Sequence, residues 1–196
     1  MGFLSFFGTS PLGIALTAIL VIAIAAVIFV GANVLLALSG GPGRCTPGGD
    51  PITVNADNAA MFQEKWDAFD VILNGGSPSS VTFNESEVSS FVDREIGSPF
   101  SDPRICIHDG FGEGTATLDI LGLSVKIKVT GNVDLSGEHP VAEIDDIEVG
   151  NVPGFITDII EDFITDFIDD ETNKADLSHI YTPTLTEGNA QIDGVP

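Results

Sequence analysis

The stretch Ile144-Asp145-Asp146-Ile147-Glu148-Val149-Gly150-Asn151-Val152-Pro153-Gly154-Phe155-Ile156-Thr157-Asp158-Ile159-Ile160-Glu161-Asp162-Phe163-Ile164 changes period at its middle. Up to Val149 apolar and acidic residues interleave at the short spacing of a strand with one dry face. Beyond the Gly150–Gly154 turn, Phe155, Ile156, Ile159, Ile160, Phe163, Ile164, Phe167 and Ile168 recur at helical spacing, opposite Asp158, Glu161, Asp162, Asp166, Asp169 and Asp170. Fully burying side chains of this size contributes on the order of 12–24 kcal/mol before chain entropy is subtracted. The stripe must therefore face a core, a lipid or a partner.

Upstream of this junction the period is two. Ile105/Ile107, Thr115–Leu121, Leu123–Leu135 and Val141–Val149 are separated by glycine-bearing turns, which predicts an antiparallel meander. In Val125-Lys126-Ile127-Lys128-Val129 the strict alternation makes one face dry and the other wet. Downstream, Ile180–Leu185 and Asn189–Val195 flank Thr186-Glu187-Gly188 and are expected to complete the sheet.

Before the meander, Phe62, Trp66, Phe69 and Leu73 place an amphipathic helix over Asp57–Leu73, stopped by Asn74-Gly75-Gly76-Ser77-Pro78. A short strand, Ser80–Phe83, leads into a second helix that runs to Ile96. Asn84 with Glu87 three residues on makes a capping-box start, and Val88, Phe91 and Val92 share a face. The class is α+β, with a long amphipathic helix after an antiparallel sheet.

The other decisive segment is Leu12–Leu38, apolar throughout and without a charge. As a helix it measures roughly 40 Å, enough for a hydrocarbon core of about 30 Å with some tilt. Pro11 suits a first helical turn, and Gly40-Gly41-Pro42-Gly43 ends the helix. The organisation expected is a head at 1–11, a transmembrane helix at 12–38, a flexible linker at 39–55 and a soluble α+β domain at 56–196. The run is longer than a secretory h-region and lacks a basic n-region, which favours a retained single-pass anchor over cleavage near Ala37–Gly40. Orientation rests on the short head, since Arg44 is the only basic flank. The expected location is the cell membrane, with the domain on the extracytoplasmic side.

All 29 acidic and 7 basic residues lie at or beyond Arg44, so the domain carries the whole formal charge of -22. Such a surface repels phosphate backbones, which excludes a nucleic-acid partner, and disfavours electrostatic docking on anionic headgroups. Cys45 and Cys106 either pair, pinning the linker to the domain in an oxidising compartment, or remain separate thiols.

The order of elements over residues 80–195 resembles the small bacterial members of the tubular lipid-binding superfamily, the LmeA-like phospholipid-binding proteins and the membrane-anchored YpmS-like proteins. The resemblance is carried by Val81-Thr82-Phe83-Asn84-Glu85-Ser86-Glu87-Val88, by Ile147-Glu148-Val149-Gly150-Asn151-Val152-Pro153 and its helix, and by Thr186-Glu187-Gly188-Asn189-Ala190-Gln191-Ile192-Asp193-Gly194. It implies a curved antiparallel sheet wrapped around a long amphipathic helix, with an elongated apolar groove for acyl chains. A groove lined by Val88, Phe91, Phe155, Ile159, Phe163 and Phe167 would bind by apolar burial; the same side chains could equally fill a core.

Reactive constellations are missing from the pattern. His108, His139 and His179 have no ligand-like spacing, and His108-Asp109-Gly110-Phe111-Gly112-Glu113-Gly114 lacks the lysine and helix of a phosphate loop. Asp145-Asp146 and Asp169-Asp170 do not have the spacing of a calcium loop, and no serine sits in a Gly-x-Ser-x-Gly elbow. No enzyme, cofactor or metal is expected. The leading expectation is a membrane-anchored module binding lipid or another hydrophobic ligand. The alternative is a protein-interaction or scaffolding module of the cell envelope with a solid core and an unknown protein partner. A pilin-like subunit is disfavoured because the basic motif before the apolar run is missing.

Overall fold

The computed structural model describes residues 40–120, 122–137, 139–150, 152–174 and 177–196, with side chains described outside 170–174. The head at 1–11 and the spanning segment expected at 12–38 lie outside the described residues. Among the described residues no helix is long and apolar enough to cross a membrane.

The chain runs α1 (Ala56–Asn74), β1 (Ser79–Asn84), α2 (Glu85–Ile96), β2 (Phe100–His108), β3 (Phe111–Ile120), β4 (Leu123–Asp134), β5 (Val141–Val149), α3 (Gly154–Lys174), β6 (Ile180–Thr186) and β7 (Asn189–Val195). This is an α+β fold with two antiparallel sheets. β2–β5 form a four-stranded meander, and β6 and β7 pair with β1 in a separate sheet of three strands, order β1-β7-β6. The closing hairpin therefore does not complete the meander as expected. β1 pairs along its full length with β7, Ser79 opposite Gly194 through Asn84 opposite Asn189, a partner that strand spacing alone does not reveal.

Local chemistry accounts for the helix starts. The Asn55 side chain accepts from Asn58 N–H at the head of α1, and at the head of α2 the Asn84 side chain accepts from Glu87 N–H while Glu87 accepts from Asn84 N–H. In the meander, Lys128 stands directly opposite Glu148. The two form an ion pair on the wet face, and the bonded Glu148 carboxylate holds the Lys128 pKa above its ordinary range.

Two cores follow from the two sheets. On one, Phe69 and Leu73 of α1 pack with Tyr181, and Phe83 stacks with Phe62 at 4.2 Å and Trp66 at 6.4 Å. On the other, Ile160 and Ile164 of α3 are buried against Phe100, Leu118, Val125 and Ile127.

Residues 40–55, read as a linker, lie against the domain. Cys45 is disulfide-bonded to Cys106 of β2, and the Glu85 carboxylate accepts from the N–H groups of Gly48 at 2.8 Å, Gly49 at 3.2 Å and Ile107 at 2.8 Å. Gly48 is so enclosed that a Cβ there would meet the Ile107 carbonyl oxygen at 2.3 Å, which only glycine avoids. This strap ties the β6–β7 turn, α2 and β2 together.

Candidate apolar cleft

Where α2 ends, α3 and the four-stranded sheet do not close completely. Val92 and Ile96 from α2, Phe100 from β2, Val129 from β4, and Ile164 and Phe167 from α3 surround a cleft of about 120 Å³. α2 reaches it because its last apolar residues, Val92 and Ile96, lie one turn apart on one face. The sheet reaches it through the dry face of β4, where Val125, Ile127 and Val129 alternate with exposed or paired lysines. Aromatic rings form one wall: Phe100 meets Phe167 at 4.8 Å and Phe163 at 6.2 Å.

The wall is almost entirely carbon. Among the described residues no titratable side chain lines the cleft, and its hydroxyl is that of the buried Thr115, whose Oγ1 donates to Cys45 Sγ. Such a surface can exclude water and hold an apolar group, but it offers no acid, base or nucleophile. Among the described residues there is also no cluster of His, Cys, Asp or Glu able to hold a metal ion.

The structure divides the expected groove residues. Phe163 and Phe167 come together beside Phe100, and Phe167 lines the cleft. Val88 and Phe91 lie half-buried on α2, where Phe91 stacks on Phe62 of α1 at 4.3 Å and under the Arg94 guanidinium at 5.0 Å. Phe155 and Ile159 are not in the cleft at all: they are 70% and 48% exposed on the flank of α3. The stripe of α3 is wider than the strip of sheet beneath it. Ile96, Phe100 and Ile164 belong to the cleft but are not among the groove residues expected from the sequence. Their signals were the apolar end of the second helix, a phenylalanine just after Pro99, and the inner half of the stripe itself.

Comparison with protein-family models, with curated proteins and with solved structures finds no match. The meaning of the cleft thus rests on its geometry and chemistry.

A larger hollow, about 370 Å³, opens between the strap, the start of α2 and the β6–β7 turn, lined by Asp50, Asn58, Glu85, Ser86 and Asn189. Several of its polar groups are committed to fastening the strap: Glu85 to Gly48 and Gly49, and Ser86 Oγ to Thr53 N–H. It is the seam of the strap. Nearby, Glu87 is buried and pairs with Lys65 at 2.7 Å, leaving Oε1 without a partner among the described residues.

Proposed function

We propose that this chain is a single-pass, membrane-tethered module on the extracytoplasmic side that holds the acyl chain of a lipid, or a similar hydrophobic ligand, between α3 and the four-stranded sheet. The observation that carries this is the cleft: an unfilled space walled by Phe100, Phe167, Ile164 and Val129, with no charged lining among the described residues. A void beside side chains able to pack forfeits dispersion contacts, and an apolar ligand restores them. The resemblance to tubular lipid-binding proteins supports the same view, with the meander curving around α3 as the body of the groove.

The volume sets the scale. At about 120 Å³ the cleft is smaller than the roughly 300–1,000 Å³ of drug-sized sites. At rest it takes the end of a chain, and a whole acyl chain requires α3 to ride outward on the sheet. The filled half of the same interface, where Ile160 and Ile164 are 0% and 2% exposed, favours the second reading, a solid scaffolding module whose cleft is a packing defect.

Native mass spectrometry of residues 40–196, with the strap and disulfide intact, followed by organic extraction, separates the two. Acyl-bearing molecules bound one to one support ligand binding. A ligand-free fragment that takes up no fluorescent fatty acid leaves the scaffold.

A further inference from the structure

Phe155 and Ile159 stand one turn apart at the start of α3, 70% and 48% exposed. Pro153 and Gly154, just before them, are exposed as well. Further along the same flank, at the next helical repeats, come the exposed Asp162 and Asp166. The flank is thus apolar only at its N-terminal end and acidic beyond. Asp158 is exposed at that end too, about 100° round the helix from Ile159.

That end is where the chain enters the domain. A Cβ built on Gly41 would lie 3.2 Å from Gly150 Cα and 3.3 Å from Lys126 Cβ, and one on Gly150 would lie 3.3 Å from the Gly40 carbonyl oxygen. Gly150 precedes Phe155 by one short turn, in which Gly150 N–H donates to the Lys126 carbonyl oxygen and Ile156 N–H to that of Pro153. Gly40, two positions after Leu38 in the sequence, therefore lies beside the turn that leads into the exposed start of α3. Lys126 is exposed there, and Arg44, 69% exposed and paired with Asp102, follows three residues after Gly41.

We propose that this edge is seated in the membrane: Phe155 and Ile159 enter the boundary between headgroups and acyl chains of the bilayer that holds the anchor, with Lys126 and Arg44 at the level of the headgroup phosphates. The proposal rests on the single-pass anchoring above. Two observations select a bilayer as the occupant. In the sequence only Ser39 separates the apolar segment from Gly40, which lies beside Gly150, and two exposed cations, Lys126 on the sheet face opposite α3 and Arg44, stand at the same chain-entry end in a domain of net charge -22. Exposed apolar side chains and cations gathered at one end of a domain are the composition of an interfacial contact. The apolar cleft then sits toward the other end of α3, with Phe167 twelve residues or about 18 Å along the axis from Phe155. A chain bound there is held above the surface, not within it.

The test uses the full chain reconstituted in phosphatidylcholine vesicles whose acyl chains carry bromine, a contact quencher of indole fluorescence. In a Trp66→Phe background, Phe155→Trp and, independently, Ile159→Trp report the edge, and Val71→Trp, at a site equally exposed at 70% on α1, reports the domain elsewhere. Both edge probes are expected to lose roughly half their emission, as for side chains seated about 5–10 Å into the interface, while the α1 probe is unaffected. Quenching of the edge probes no greater than that of the α1 probe overturns the proposal. So does a blue-shifted edge probe without quenching, which would mean that a protein surface covers it. Vesicle flotation of the unsubstituted chain is scored separately. Failure to float overturns anchoring and seating together, whereas flotation without quenching overturns the seating alone.

Discussion

The half of the domain around the three-stranded sheet and the half around the four-stranded sheet are held together by different chemistry. In the first, α1, α2 and the strap are fastened by a disulfide, a carboxylate shared by three backbone N–H groups and the Lys65–Glu87 pair. Each has a defined geometry and leaves a buried polar group exposed to loss if it is broken. In the second, α3 is held to the meander by the packing of Ile160, Ile164, Phe163 and Phe167. Packing is non-directional and can re-form around a guest. The cleft lies at the edge of the second kind of contact, where the described contacts of Ile160, Ile164, Phe163 and Phe167 are apolar.

This contrast can be broken first at the disulfide. It closes a sequence separation of 61 residues, for which loop entropy gives about 4 kcal/mol of stabilisation. Replacing Cys45 and Cys106 together by Ser is expected to lower the unfolding free energy of residues 40–196 by about that amount, measured by urea denaturation. A loss under about 1 kcal/mol would mean that the strap contributes little and the first half is no more fastened than the second.

Next in size is Lys65→Met, which strands the Glu87 carboxylate, 1% exposed, without its cation. Because Lys65 is itself 39% exposed and Glu87 keeps the Asn84 N–H, the expected loss is about 1–2 kcal/mol, reduced when Glu87→Gln is added. A single variant as stable as the unsubstituted fragment would show that water, not Lys65, satisfies Glu87. The smallest effect sharpens the other side. Phe155→Ser, at a position 70% exposed, should change the stability of the fragment by less than about 0.5 kcal/mol, while weakening the seating of the full chain on vesicles.

The local elements were legible because local physics sets them. Asn84 and Glu87 announced the α2 capping box, the Val125–Val129 alternation announced the dry face of β4, and the stripe after Pro153 announced α3. Pairing at long range was not legible. Nothing in Asn189–Val195 says that its partner is Ser79–Asn84, more than a hundred residues earlier, and so the two sheets were read as one. The candidate site was half legible for a related reason. The stripe on α3 gave Phe163 and Phe167, but how much of it the sheet covers depends on the width of the meander, so Phe155 and Ile159 could not be told from core. The packed strap was the least visible part, because Gly48-Gly49 reads as a hinge until Glu85 is seen to hold it.

The central claim is that the space beside Phe100 and Phe167 is a binding site. Titrating a fluorescent fatty acid into residues 40–196, alone and with Ala116→Leu to fill the cleft from β3, tests it most directly. Overfilling here should cost about 1–3 kcal/mol of stability, small enough to keep the fragment folded. The account predicts saturable one-to-one uptake by the unsubstituted fragment and at least roughly tenfold weaker uptake by the variant, the loss of about 1.4 kcal/mol of contact. No uptake by either, or equal uptake by both, would contradict it.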